Sequence, residues 1–309
     1  MRVCAALFAL LLAGCAAGAS DVAEVSTELT ERQIIERGSQ ALARAGIEEI
    51  TWALTPYLIE DTMQARYQPI LASVSQDLGV PITITIGDDY ASVEEQVVTG
   101  AVDVAVLPPY TYVQGRAREP GLQAFASHIS EGSPTYACYV IVRDDDPATQ
   151  LSDLRGRTVA FVGQKSTSGW LVPAARLLQE GLHPQRDVHA TFQGTHDAVF
   201  DAVVDGRADA GAIYAGGLTG ARERRPEAHP VRVLAKGERM PNDAYVARPG
   251  FPPEAAAAIA ASLGRISTAT AEGRRRLGGA SEINGFIAID DTHYDIVRQI
   301  DAAVSAALR

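Results

Sequence analysis

Along this chain the apolar positions switch between the two-residue period of a strand and the 3.6-residue period of a helix. Glu49 to Thr55 alternates like a strand and ends at Pro56-Tyr57. Ile59 to Leu78 has helical spacing, with Tyr67, Ile70, Leu71, Val74 and Leu78 on one face and Gly79 as a stop signal. Pro81 to Ile86 alternates again. Gly87-Asp88-Asp89-Tyr90 opens a helix over Ala91 to Val98, and Ala101 to Leu107 reads as a buried strand ended by Pro108-Pro109. This βαβαβ series predicts an open α/β sheet, whose ligands bind outside the carboxyl ends of the strands. Those ends are Pro56-Tyr57, Asp89-Tyr90 and Leu107 to Tyr110, which makes Tyr57 and Tyr90 the first candidate site residues.

A second unit repeats the pattern. Tyr136 to Arg143 is a strand ended by Asp144-Asp145-Asp146-Pro147, a solvated turn without the spacing of a calcium loop. Thr158 to Val162 is a strand that leads into a helix running to about Gly181, and His189 to Phe192 is a further strand. Gly194-Thr195-His196-Asp197 opens a helix over Ala198 to Val204. The run from Asp205 to Ala212 then repeats the pattern of Thr99 to Val106. Two helix-Gly-x-x-Asp-strand units, one per half, predict two lobes of like topology. Arg232 to Ala235 is a strand, and Met240 to Arg248 is another that returns the chain to the first lobe. Pro252 to Leu263, Glu272 to Gly278 and His293 to Leu308 are helical. The expected division is lobe one over 48–135 and 240–309 and lobe two over 136–239. Residues 15–47 form a tether and a peripheral helix.

Candidate chemistry concentrates at Ser166-Thr167-Ser168-Gly169, where a strand turns into a helix. The first amides of a helix lack intrahelical partners and carry the positive end of its dipole, so such a turn suits an anion. The hydroxyls add donors, and glycine lets a backbone approach closely. Pro173 fits a first helical turn, which sets the helix start near Gly169 or Trp170. The same four residues also make an ordinary helix cap with spare hydroxyls. Ser168, His196 and Asp243 are not accompanied by a Gly-x-Ser-x-Gly elbow, and Gly163 to Thr167 lacks the spacing of a P-loop, so no enzyme is expected.

Composition narrows the classes. The 309 residues are 47% hydrophobic and 21% charged, ample material for two packed lobes. A net charge of −11, with no basic patch interleaved with aromatics, argues against nucleic acid. No Cys/His cluster has metal-ligand spacing, so neither metal nor cofactor is expected. Met1-Arg2, the apolar run Val3 to Leu12 and Leu12-Ala13-Gly14-Cys15 read as a lipoprotein signal over 1–14, with Cys15 as the lipidated residue. Cys4 falls in the removed segment, which leaves Cys138 without an internal disulfide partner.

In order, Asp89-Tyr90, Gly100 to Val106, Tyr136 to Arg143, Asp153 to Val162, Ser166 to Gly169, Gly194 to Asp197 and Phe286 to Tyr294 resemble the periplasmic binding proteins of phosphonate, phosphite and phosphate ABC transporters. The resemblance extends over about Ile50 to Arg298. It implies a two-lobed α/β fold of the type II periplasmic-binding-protein kind, with an open sheet in each lobe and a ligand cleft at the hinge. It implies a monomeric periplasmic protein, held at the membrane by a lipid anchor, that performs no chemistry, needs no cofactor and hands a small oxyanion to ABC permease subunits. A related branch senses oxyanions, arsenite and arsenate among them, for a membrane histidine kinase, and that is the alternative.

Carried onto this sequence, the resemblance puts Ser166, Thr167, Ser168 and Gly169 on the oxyanion head, with His196 on another oxygen and Tyr90 reaching in from lobe one. Asp243 matches an acidic cleft position. A carboxylate cannot accept from a deprotonated oxyanion, so Asp243 calls for a ligand P–OH, a ligand amine or an Arg neighbour. Two departures from the family favour a small inorganic oxyanion over an aminophosphonate. Tyr214-Ala215-Gly216-Gly217 lacks a second acid, and Leu107-Pro108-Pro109 stands where an aromatic occurs in other members. Cys138 would suit arsenite if it faced the cleft and is otherwise a buried thiol.

Overall fold

The computed structural model describes residues 29–278 and 282–309. The lipoprotein signal and Cys15 lie outside the described residues. The chain opens with α1 (Glu31–Arg44), β1 (Ile50–Leu54), α2 (Glu60–Leu78), β2 (Ile82–Ile86), α3 (Tyr90–Thr99) and β3 (Val104–Leu107). It continues through α4 (Pro109–Arg118), β4 (Gln123–Ser130), the short β5 (Thr135–Tyr136) and β6 (Cys138–Arg143). The middle segment holds β7 (Thr158–Phe161), α5 (Val172–Gln179), β8 (His189–Phe192), α6 (His196–Val204), β9 (Ala210–Tyr214), α7 (Ala215–Arg224) and β10 (Val231–Lys236). The return comprises β11 (Met240–Pro241), β12 (Ala244–Ala247), α8 (Pro253–Gly264), α9 (Ala271–Leu277), β13 (Ile283–Ala288) and α10 (Asp295–Ala307).

The strands form two open sheets in the mixed α/β arrangement that the alternating pattern predicts. The first has the order β13-β4-β12-β3-β1-β2, parallel where β1 meets β2 and β3 and antiparallel where the late strands return. The second has the order β10-β6-β9-β7-β8, with β7 parallel to β8 and β9. Between them lies a two-stranded pair, β5 with β11, in which Met240 faces Tyr136 and Pro241 faces Thr135. Both chain crossings between the sheets pass through this pair.

Three local departures from the sequence pattern place the site. The strand expected over Tyr136 to Arg143 breaks at Ala137, so β5 joins the crossing pair and β6 the second sheet. The strand expected over Met240 to Arg248 breaks at Asn242-Asp243. The strand expected from Ala101 starts only at Val104, because the Asp103 carboxylate accepts from the Thr51 N–H and hydroxyl, both at 2.9 Å. In α2, Tyr67, Ile70, Leu71, Val74 and Leu78 are buried together, as their spacing predicts. Arg66 is buried beside them.

Helix α1 does more than the peripheral role expected of it. Ile35, Gly38, Ala41 and Leu42 are buried, and Gly38 packs so tightly on α8 that an added Cβ would lie 2.1 Å from Ala258 Cβ. Helix α10 packs against both α4 and α5, the helices that flank the two sheets.

Candidate functional site

The turn after β7 is where helix geometry meets the cleft. Thr167–Leu171 forms one wide π-type turn that continues into α5. Ser166 caps it. Its Oγ accepts from Gly169 N at 3.0 Å, while its carbonyl accepts from Leu171 N at 3.0 Å. Gly169, expected among the ligand-binding residues, is not among the residues that line the cavity. The Gly169 N–H is spent on Ser166 Oγ, and the residue lies behind the turn, outside the cavity lining. Glycine is required there for packing, since a Cβ would stand 2.4 Å from Val162 Cγ2.

Ser166, Thr167 and Ser168 line a cavity of about 110 Å³ between the two sheets. Thr167 Oγ1 accepts from Tyr110 N at 2.9 Å, across the cleft. The Tyr136 hydroxyl faces the Thr167 and Ser168 side chains. Ser168 Oγ lies 3.4 Å from His196 Nε2. His196 is the first residue of α6, whose cap is Thr195, with its Oγ1 accepting from Ala198 N at 3.1 Å. The imidazole is buried, stands edge-on 4.9 Å from the Tyr214 ring, and has no partner at Nδ1. Burial pushes its pKa down to about 3, so His196 is a neutral donor rather than a cation.

The first sheet supplies the facing wall. Tyr90 begins α3, and its hydroxyl faces Ser166. The Tyr57 hydroxyl accepts from Arg66 Nη1 at 2.9 Å and lies 3.1 Å from the Tyr67 hydroxyl. Arg66 also pairs with Glu282 at 3.1 Å. Burial holds the Tyr57, Tyr90, Tyr136 and Tyr214 hydroxyls above the ordinary tyrosine range, so all four keep their protons to donate.

Asp243 owes its position to the strand break. Asn242 turns away and donates from Nδ2 to the His128 and Ser133 carbonyls at 2.9 and 3.0 Å. Asp243 then lines the cavity. Its carboxyl is partly reached by solvent from the cleft but surrounded by protein on its other sides. Burial pushes its pKa up to about 7, against the opposing pull of Arg66. Near neutrality it is therefore divided between a carboxylate that accepts and a carboxyl that donates.

The two walls are joined around the cavity. His196 N donates to Tyr57 O at 3.1 Å, and Ile59 N to Asp197 Oδ2 at 3.2 Å. On the other flank Thr111 Oγ1 donates to Lys165 O at 2.9 Å. Lys165 Nζ reaches Glu94 Oε2 at 2.5 Å and Gln114 Oε1 at 3.0 Å. Glu94 is fully buried and also holds Arg118 at 2.9 Å. These contacts describe a closed cleft.

Tyr57, Tyr90, Ser166, Thr167, Ser168, His196 and Asp243 thus share one cavity, and Gly169 stands behind it. Sequence reasoning missed Arg66, Tyr136, Tyr214 and Glu282. Arg66 carried a signal, a lone charge on the apolar face of α2 between Met63 and Tyr67. The others depend on which loops the fold brings together. Cys138 is buried at 1% exposure, outside the cavity lining, and burial pushes its thiol well above the usual range. It does not offer the cleft thiolate that arsenite would need. Among the described residues, no group of His, Cys, Asp and Glu is placed to hold a metal ion, and no helix is long and apolar enough to cross a membrane.

Residues 52–294 match the family described as "ABC transporter, phosphonate, periplasmic substrate-binding protein". The phosphate-import protein PhnD of Mycolicibacterium smegmatis is 32% identical over 177 residues, 54% of this chain and 55% of that one. The phosphonates-binding periplasmic protein of Escherichia coli is 26% identical over 220 residues, 68% of this chain and 65% of that one. The chain thus spans between about half and two thirds of the length of these curated relatives. A binding protein component of an ABC phosphonate transporter from Pseudomonas aeruginosa superposes with a TM-score of 0.75 at 21% identity, over 83% of this chain and 86% of that one, and shows the shared fold. With more than half of its length matched by the family, this chain belongs to the periplasmic substrate-binding proteins of phosphonate ABC transporters.

Proposed function

We propose that this protein binds a compact phosphorus oxyanion (phosphate, phosphite or a small phosphonate) in the cleft and delivers it to the permease of an ABC importer. One observation carries the reading. Hydroxyls of Ser166, Thr167 and Ser168, neutral His196 and the hydroxyls of Tyr57 and Tyr90 converge from two sheets on one small cavity. A tetrahedral oxyanion presents acceptors in every direction and is satisfied by such a shell of neutral donors. The charged groups of the cavity do not contradict this. Arg66 is offset by Glu282, Arg239 donates to the Ser133 and Thr135 hydroxyls, and Asp243 at a pKa of about 7 can donate its proton to a ligand oxygen. The volume supports a small head group, since an engineered cavity of roughly 150 Å³ admits benzene.

In this reading the closed cleft is the form presented to the permease, and Cys15 carries the lipid that keeps the protein at the membrane. The protein acts as a periplasmic carrier and performs no chemistry on its ligand. A thermal-shift screen across phosphate, phosphite, methylphosphonate, aminoethylphosphonate, arsenate and arsenite tests it. A phosphorus oxyanion at about a hundred times its Kd is expected to stabilise the protein by roughly 2.7 kcal/mol. A melting point unmoved by every phosphorus compound would overturn the assignment.

A further inference from the structure

One wall of the cavity is built from both sides of the cleft. Gly216 lies in the first turn of α7, next to the second sheet, and Glu282 immediately precedes β13 of the first sheet. A Cβ on Gly216 would stand 2.7 Å from Glu282 Oε2, and one on Gly220, a turn further on, 3.8 Å from Oε1. The carboxylate of one lobe therefore lies on a glycine face of the other, in space that a side chain at position 216 would fill. Arg66 Nη2 holds that carboxylate at 3.1 Å, and Arg66 is itself fixed by donating to the Tyr57 hydroxyl at 2.9 Å. Arg66, Glu282 and Gly216 all line the cavity.

Two consequences follow from charge and volume. The ion pair is internally balanced, so it offers a ligand neither a free cation nor a free anion. The carboxylate also takes up volume next to a cavity already small at about 110 Å³. The acid absent from Tyr214-Ala215-Gly216-Gly217 is thus supplied from across the cleft, but already neutralised by Arg66.

We propose that the Glu282–Arg66 pair, seated on the Gly216/Gly220 face of α7, is a size and charge filter that limits the site to tetrahedral oxyanions with no tail or a one-carbon tail. The pair takes the volume into which a longer organic tail would extend, and an ammonium on such a tail meets a Glu282 carboxylate already paired with Arg66. Glu282 is a specificity-determining residue in this account, and Arg66 is the positioning residue that keeps it in place. The inference rests on the reading of the cavity as an oxyanion site.

Calorimetric titration of the whole chain with phosphate, methylphosphonate, propylphosphonate and aminoethylphosphonate tests it. The wild type, Glu282→Ala and Glu282→Asp are compared, the last retracting the carboxylate by one methylene while keeping its charge beside Arg66. The wild type is expected to prefer methylphosphonate over propylphosphonate by at least about 10-fold. That ratio is expected to fall about 10-fold in Glu282→Ala and by a smaller factor in Glu282→Asp, which guards against failure of the alanine variant to fold. A wild type that binds methylphosphonate while the ratio stays unchanged in both variants overturns the filter and leaves the oxyanion reading standing. A wild type that prefers aminoethylphosphonate, and loses it 10-fold in Glu282→Ala, overturns the filter by making Glu282 an ammonium ligand. A wild type that binds none of the four overturns the oxyanion reading and the filter with it.

Discussion

Replacing Asp243 with Asn removes one proton equilibrium and keeps the side chain's shape. The carboxyl's ordinary pKa of 3.8 is raised to about 7 in the folded protein, chiefly by burial. Between those values the native state holds a proton that the unfolded chain has released. Stability therefore falls as pH rises through that window, by up to about 1.4 kcal/mol per unit. The shift of roughly three units sets a ceiling of about 4 kcal/mol, reduced to the extent that cleft water reaches the carboxyl. Asn has no proton to lose. Without ligand, Asp243→Asn is expected to match the wild type at pH 4 and to exceed it by about 2–4 kcal/mol at pH 8. Urea denaturation followed by circular dichroism at pH 4, 5, 6, 7 and 8 measures the difference. Binding adds a second readout, because an oxyanion next to Asp243 favours its protonated form. At pH 8 the wild type is expected to take up a proton on binding, seen as a dependence of the binding enthalpy on buffer ionisation that the Asn variant lacks. Parallel stability curves across the pH range, or an Asn variant less stable at pH 8, would show that Asp243 does not hold a proton in the folded protein at neutral pH.

Other consequences reach beyond the cavity wall. Lys165 does not line the cavity but bridges the lobes to buried Glu94, so Lys165→Met is expected to weaken oxyanion binding about 10-fold or more, mainly through faster release. Stopped-flow dissociation checks this, and an unchanged rate would exclude the bridge from closure. Gly169→Ala drives a Cβ into Val162 and is expected to destabilise the fold by about 1–3 kcal/mol, measured as a lower melting point. Leu42→Ala, at a fully buried position of α1, is expected to cost about 2–5 kcal/mol in urea denaturation, and a neutral result would return α1 to a peripheral role.

The two-sheet architecture was legible because its helices and strands carry strong local periodicity, as α2 and β2 illustrate. Helices α4 and α7 were not read. Pro109-Tyr110 opens the first, and Ala215-Gly216-Gly217 opens the second, in sequence that locally signals a turn. Strand breaks were hidden for a related reason. Asn242 leaves the ladder to bond two carbonyls brought from elsewhere in the chain, and only that tertiary arrangement turns Asp243 toward the cavity. The placement of Ser166, Thr167 and Ser168 at a helix start that faces the cavity was legible, since hydroxyls at a helix start have a local physical meaning. The role of Gly169 was not, because Val162 makes the close approach and a sequence does not show distance. Glu282 had no local signature at all. Its place depends on Arg66 and on a glycine face more than sixty residues earlier.

The proposed grip on a compact phosphorus oxyanion lies with the hydroxyls of Ser166 to Ser168 and the imidazole of His196. Isothermal titration of the wild type and Ser168→Ala with phosphate, phosphite and methylphosphonate tests it most directly. At least one of the three is expected to bind the wild type at one site per chain. Loss of the Ser168 donor to a charged ligand is expected to weaken that binding by about 10- to 150-fold, the equivalent of roughly 1.5–3 kcal/mol. No heat of binding with any of the three, or equal affinity in the two proteins, would contradict the account.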